Sequence, residues 1–217
     1  MTVQLPLFPL STVLFPHMPL ALHVFEERYR TMMRDCREQG ITFGVLAIRE
    51  GLEVGGGAVP YRTGTLAQLR DVEELPDGRY NLLVVGASRF RVEAYSFDRP
   101  YLVGDVQYLQ DDPLVPDDAA LLAPRVRSAF QHYVAAMARS SGSDPSSEMS
   151  LPDEPELLAY LVAGALEIET ARKQELLEHD STSARLRGCL EALRRESVLF
   201  DRLSTRRQPR VLRSPPN

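Results

Sequence analysis

The apolar residues of this chain change period once, near Asp111, and that change limits the folds open to it. Before it, short apolar runs are punctuated by proline and glycine, the spacing of strands and turns. After it, apolar residues recur every three or four positions, the spacing of helix faces. The expectation is an α+β protein, with a barrel-like sheet unit over residues 1–110 and a helical unit over 111–204.

Within the first unit, Leu5, Leu7, Val13, Leu14, Phe15, Leu20 and Leu22 fall in short runs broken by Pro9, Pro16 and Pro19, which mark turns or strand edges. Tyr29, Met32, Met33 and Cys36 keep helical spacing between Glu26 and Gln39, and Gly40 supplies a stop, so one amphipathic helix is expected there. Thr42 to Ile48 reads as a buried strand and Arg62 to Leu75 as a half-exposed one. Pro76-Asp77-Gly78 then predicts a tight hairpin that pairs Val72–Leu75 with Arg79–Val85. Gly86 is expected to separate that strand from another at Arg89–Phe97, and Tyr101–Leu109 closes the series. Six or seven antiparallel strands with one short helix suggest a small, closed or nearly closed barrel.

In the second unit, Leu121, Leu122, Val126, Ala129, Phe130, Tyr133, Val134 and Met137 form an apolar helical stripe, with Pro124 either near its first turn or kinking it, after Pro113 and Pro116. Residues 140–152 are rich in Ser, Gly and Pro and read as a flexible loop. Asp153 is expected to cap a helix carrying Leu157, Leu158, Leu161 and Val162; a short helix follows around Ala171–Glu178, and a long one carries Leu186, Leu190, Leu193 and Phe200. From Arg202 onward the chain has five arginines, three prolines and no acid, and residues 205–217 are expected to be a disordered tail.

The chemistry open to the chain is narrowed by its single lysine, Lys173, which has no glycine before it and no hydroxyl residue after it. No phosphate loop of the Walker type can be built on it. Every other fixed cation is an arginine, which does not act as a lysine-type base. Lys173 itself, beside Glu169, Arg172 and Glu175, is expected to stay charged and solvated, which argues against a Ser-Lys dyad. Ser88 lies in Gly-Ala-Ser-Arg-Phe, which lacks the second glycine of a nucleophile elbow, and reads as a strand-edge serine. No catalytic residue is therefore assigned.

The histidines and cysteines show no metal-ligand spacing: His17 and His23 are separated by proline, His132 and His179 stand alone on predicted helices, and neither H-E-x-x-H nor C-x-x-C occurs. No metal and no cofactor is expected. The adjacent carboxylates Glu26-Glu27, Glu73-Glu74, Asp111-Asp112 and Asp117-Asp118 point to different faces and read as solvated or helix-start charge. Acidic and basic residues number 13 and 11 over residues 1–110 and 17 and 14 over the rest, so neither half offers the basic face that nucleic acid requires. Two isolated thiols, Cys36 and Cys189, fit a reducing cytoplasm. No signal-peptide pattern is present, and no stretch approaches the ~20 continuous apolar residues of a membrane span.

The turn Phe15-Pro16-His17-Met18-Pro19 is the candidate binding element. Apolar turn residues usually fold inward, and packing is the first expectation. Protruding, the same side chains would give an adaptable apolar contact.

Several strings share one order and spacing: Leu5-Pro6-Leu7-Phe8-Pro9-Leu10, Phe15 to Leu20, Val24-Phe25-Glu26-Glu27-Arg28-Tyr29, Gly64-Thr65-Leu66-Ala67, Leu75 to Tyr80, Gly86 to Arg91, Ala171 to Glu178 and Arg185-Leu186. Together, over residues 3–203, they resemble the N-terminal, substrate-binding domain of the Lon protease family. The resemblance implies a small antiparallel barrel like that of pseudouridine synthase and archaeosine transglycosylase (PUA) domains, followed by an α-helical bundle. It also implies capture of unfolded or tagged polypeptide, while a following ATPase and a Ser-Lys peptidase domain do the work in the full-length protease. The given chain stops where that ATPase would begin, so the expectation is a stand-alone, non-catalytic module that binds unfolded or apolar segments, as an adaptor for a protease or chaperone. Its contact surface is placed near Phe15–Pro19 or in a groove between barrel and helices. The rivals are a nucleic-acid or nucleotide-binding PUA-like module, suggested by the barrel and the arginine-rich tail, and a hydrolase with unrecognised catalytic residues.

Overall fold

The computed structural model describes residues 3–111, 118–141 and 150–207. The chain runs β1 (Val3–Leu10), β2 (Pro19–Val24), α1 (Glu27–Gln39), β3 (Phe43–Glu50), β4 (Val59–Glu74), β5 (Tyr80–Ser96), β6 (Leu102–Tyr108), α2 (Ala119–Ser141), α3 (Pro155–Ala165), α4 (Thr170–Glu178) and α5 (Thr182–Arg207). The strands form one sheet in the order β2-β5-β4-β3-β1-β6, and an additional β5–β6 pairing closes five of them into a barrel.

The hairpin at Asp77-Gly78 forms as its sequence requires. Glu74 pairs with Tyr80 and Val72 with Leu82, and Gly78 takes the positive φ of 78° that the turn demands. The single helix among the strands ends at Gly40 in the left-handed conformation and buries Tyr29, Met32, Met33 and Cys36 against the barrel.

Two expectations about the sheet are corrected. The pairing is not antiparallel throughout: β1 and β3 run parallel, with Leu7 opposite Gly44 and Leu10 opposite Ala47. The connection through β2 and α1 is long enough to act as a crossover, which a parallel pair needs. Nor does Gly86 separate two strands. It lies inside β5, a single strand of 17 residues. The first half of β5 pairs with β2 and the second half with β6, while β4 occupies its other edge.

The helices form a second layer with its own core, in which Val126, Phe130, Tyr133, Leu158, Leu186 and Leu193 are buried. Val13, Phe15 and Ala47 of the barrel belong to that same core, so the two layers share packing. Leu121, expected in the apolar stripe of α2, is instead exposed, and Pro124 sits inside that helix. Asp153 does not cap α3. Glu154 occupies the cap position without a side-chain bond, Pro155 opens the helix, and Asp153 lies 3.4 Å from Arg127 on the surface. Arg127 also donates to the carbonyls of Leu151 and Pro152, at 3.0 and 2.7 Å, anchoring the segment that leads into α3.

Helix α5 continues to Arg207, into the stretch expected to begin the tail. Pro113 and Pro116, residues 142–149 of the expected loop and residues 208–217 of the expected tail lie outside the described residues. Among the described residues no helix is long and apolar enough to cross a membrane.

Candidate functional site

The turn that follows β1 is fastened to the middle of β5. His17 N–H donates to the Gly86 carbonyl at 2.8 Å, and Gly86 N–H donates to the Met18 carbonyl at 3.0 Å. Met18 N–H closes the turn on the Phe15 carbonyl at 3.2 Å, which requires His17 to adopt φ 64°. A non-glycine residue at positive φ is uncommon, and histidine is among the types that tolerate it.

This geometry divides the five candidate residues. Phe15 and Pro16 are buried and Met18 is partly buried against the helical core, whereas His17 and Pro19 are exposed. The Phe15 and His17 rings both approach Tyr160 of α3, with centroids 6.4 and 6.3 Å away. Burying a phenylalanine contributes roughly 1.5–3 kcal/mol, so Phe15 ties barrel to helices and leaves His17 to face solvent.

Beside the turn, a cluster of charges joins the layers. Arg89 of β5 is 4% exposed and Arg185 of α5 is 0% exposed. One Arg89 nitrogen donates to the carbonyls of Leu177 and His179, at 2.8 and 2.7 Å, and the other bonds Asp111 at 2.5 Å. Arg185 donates to the carbonyls of Leu176 and His179 and to both carboxylate oxygens of Asp111, with its guanidinium 4.4 Å over the Tyr160 ring. Thr182 adds a hydroxyl bond to Asp111 at 2.9 Å.

Two cations thus share one carboxylate. The remaining compensation comes from the C-terminal carbonyls of α4, which lack partners within their helix and carry its negative dipole end. Asp111 therefore does not have the solvated role expected of it. It is the shared partner of two buried arginines.

Neither arginine was assigned a role from sequence, and the reason is a change of phase in β5. Leu82, Val84 and Gly86 face inward in strict alternation, which would place Ser88 inside and Arg89 outside. The register shifts between Thr65 and Ala67 of β4, leaving Ala87 and Ser88 as a bulge opposite Leu66. Beyond it Arg89 is buried and Ser88 exposed. Phe90 then packs on the opposite face, with Leu5, Leu46 and Val92, and the detectable signal is an arginine beside it without a turn residue to explain it.

These elements border a cleft of about 580 Å³ between barrel and helices, whose walls include His17, Arg70, Ser88, Asp111, Glu156 and Tyr160. A second register shift places Arg70 at a bulge of β4 on the same rim. The cleft walls are held by ion pairs and backbone bonds, an arrangement suited to holding a ligand in a fixed shape.

The remaining titratable groups have structural settings. Lys173 is not fully solvated as expected: it is half-buried, its ammonium donates to the Gly164 carbonyl at 3.0 Å, and burial draws its pKa down. Burial, followed by the nearby Arg185, also lowers the pKa of His179. The Cys36 and Cys189 thiols are pushed up to about 12, in both cases mainly by burial. His23 bonds Asn81 at 2.8 Å. Among the described residues no group of three or more His, Cys, Asp or Glu side chains is placed to hold a metal ion.

A closed small barrel sharing its core with a helical layer, joined through Arg89, Asp111 and Arg185, is an architecture shared with the N-terminal domains of Lon proteases. The chain belongs to the family described as the ATP-dependent protease La (LON) substrate-binding domain, whose model matches residues 4–195.

Among solved structures, the Lon N-terminal domain protein from Xanthomonas campestris is 30% identical with a TM-score of 0.64, covering 87% of this chain and 98% of that one. The N-terminal domain of Mycobacterium avium complex Lon protease shares the fold at 16% identity and a TM-score of 0.67, covering 88% and 98%. Among curated proteins, the Lon protease of Anaeromyxobacter dehalogenans is 27% identical over 199 residues, 90% of this chain and 24% of its own length. That of Escherichia coli strain K12 is 24% identical over 200 residues, 91% and 25%. The chain thus spans about a quarter of the length of these curated relatives.

Proposed function

We propose that this chain holds unfolded or tagged polypeptide without transforming it, in the cytoplasm, and delivers it to a protease or chaperone as an adaptor. The observation that carries this reading is membership of the substrate-binding family over residues 4–195. The cleft beside the Phe15–Pro19 turn supports it. Exposed members such as His17, Arg70 and Ser88 stand beside a frame, Arg89, Asp111 and Arg185, whose charges are already paired, so a bound segment meets a preformed wall.

Capture should be weak for any one segment, because ordering a flexible chain offsets much of the burial at ~25 cal/mol per Å². Ser88→Trp tests the site. The exposed serine lies on the cleft wall, so indole fills the space without entering either core. The variant is expected to bind a labelled, permanently unfolded protein about tenfold more weakly, a loss of about 1.4 kcal/mol, at unchanged urea stability. Equal affinity in variant and wild type would remove this cleft from the account.

A further inference from the structure

Strand β2 stands at the end of the sheet order and, among the described residues, is paired on one side only, by β5. The bond from Gly86 N–H to the Met18 carbonyl sets the phase of that pairing, and the register runs unbroken from Pro19 opposite Val85 to Val24 opposite Tyr80. Leu20, Leu22 and Val24 therefore exchange main-chain bonds with β5. Ala21 and His23 turn their N–H and C=O groups toward the free edge. Pro19 at the head of the strand has no N–H to offer there.

Alongside this edge runs a groove of about 390 Å³, walled by Phe8, Leu10, Leu20, Leu22, Tyr29 and Val54. Its rim is apolar and open to water: Phe25 is 48% exposed and Val54 55%. The rim is also tethered. Ser11 N–H donates to Glu53 at 2.7 Å, Gly55 N–H to Glu26 at 3.3 Å, and Arg28 bridges Glu26 at 3.0 Å and the Glu53 carbonyl at 3.3 Å. Exposed apolar surface beside an unpaired strand edge is what most proteins cover or charge.

The charged groups of the groove choose between occupants. Glu26 and Glu53 line it and, among the described residues, no lysine or arginine does; Arg28 behind the rim offsets Glu26, which leaves the groove one carboxylate in excess, that of Glu53. A second copy presenting the same edge would bring like carboxylates together, because a twofold interface apposes the same patch on both subunits. An extended segment carrying a basic residue meets them favourably.

We propose that the free edge of β2 is a docking site for an extended polypeptide segment, which adds as a further strand with apolar side chains in the groove and a lysine or arginine against Glu26 and Glu53. The mode deepens the polypeptide-binding reading and rests on it. Main-chain pairing gives affinity independent of sequence, and the groove and the two carboxylates add the preference.

The test uses the full chain and a fluorescent peptide of alternating leucine and threonine with arginine at each end, followed by anisotropy. N-methylation of one alternate set of peptide amides should weaken binding about tenfold or more, while methylation of the other set leaves it within about twofold, since only one set can face Ala21 and His23. Replacing the terminal arginines by glutamates should cost about tenfold, and Glu26→Gln with Glu53→Gln should erase most of that difference. Equal tolerance of both methylated sets, or equal binding of the glutamate-flanked peptide, overturns the proposal. So does a dimer that the peptide dissociates, which would put a second copy on this edge. Unchanged capture of a full-length unfolded protein alongside any of these results overturns strand docking alone, whereas failure to bind either probe overturns the parent reading as well.

Discussion

A β-carbon placed on Gly86 would sit 2.1 Å from the carbonyl oxygen of Phe15, so the turn that carries His17 rests directly on the backbone of β5. The obstacle is main chain and cannot swing away. Gly86→Ala should therefore destabilise the protein by about 1–3 kcal/mol, as overpacking does. Gly78→Ala would lose stability for a different reason: its left-handed φ costs about 1–2 kcal/mol, and the new carbon displaces the Arg30 end from its bond to the Gly78 carbonyl. Urea unfolding measures both variants, and a Gly86→Ala midpoint equal to that of the wild type would contradict the fastening of the turn to β5.

Asp111→Asn should be more damaging, because it leaves Arg89 and Arg185 buried without a carboxylate. Removing one member of such a cluster costs about 3–5 kcal/mol, and the 28% exposure of Asp111 places the loss toward the lower end. A double-mutant cycle with Arg89→Met, read by chemical denaturation, should give a coupling of about 1 kcal/mol or more. Additive losses would show that the ion pair does not join the layers.

His179 makes stability depend on pH in a stated direction. Burial and Arg185 lower its pKa in the folded state, so the unfolded chain takes up the proton first. This contribution is present above the ordinary histidine value of about 6.5 and is lost as pH falls from there through the folded value. Between about pH 8 and about pH 5.5 the urea midpoint should drop, and His179→Gln should reduce the slope. An unchanged slope in the variant would assign the pH dependence elsewhere.

Both thiols should be silent in the native protein. Cys36 and Cys189 are buried, with pKa values pushed up to about 12, so little thiolate forms near neutrality. A chromogenic disulfide at about pH 8 should leave both unmodified until denaturant is added. Rapid native labelling of either would mean that α1 or α5 opens locally.

The readable parts of this sequence were those whose cause is local. Asp77-Gly78 dictates its hairpin through the φ that only such residues adopt easily, and Tyr29, Met32, Met33 and Cys36 dictate the helix that ends at Gly40. What escaped depends on partners distant in sequence. The parallel β1–β3 pair follows from a crossover that leaves no periodic trace. Arg89 was hidden by a bulge that inverts the inward and outward faces of β5, and Asp111 meets an arginine 74 positions away. At the turn, inward packing described Phe15 and Pro16, while the exposure of His17 follows from its positive φ and its bond to Gly86. The free edge of β2 was visible only once the strand order was known.

The most direct test of the central claim is to titrate the purified protein into fluorescent, permanently unfolded casein, with and without ATP, reading anisotropy and then the same samples on a denaturing gel. The account predicts a saturable rise in anisotropy, independent of ATP, with casein intact. No rise, or casein fragments that disappear when one side chain of this chain is changed, would contradict it.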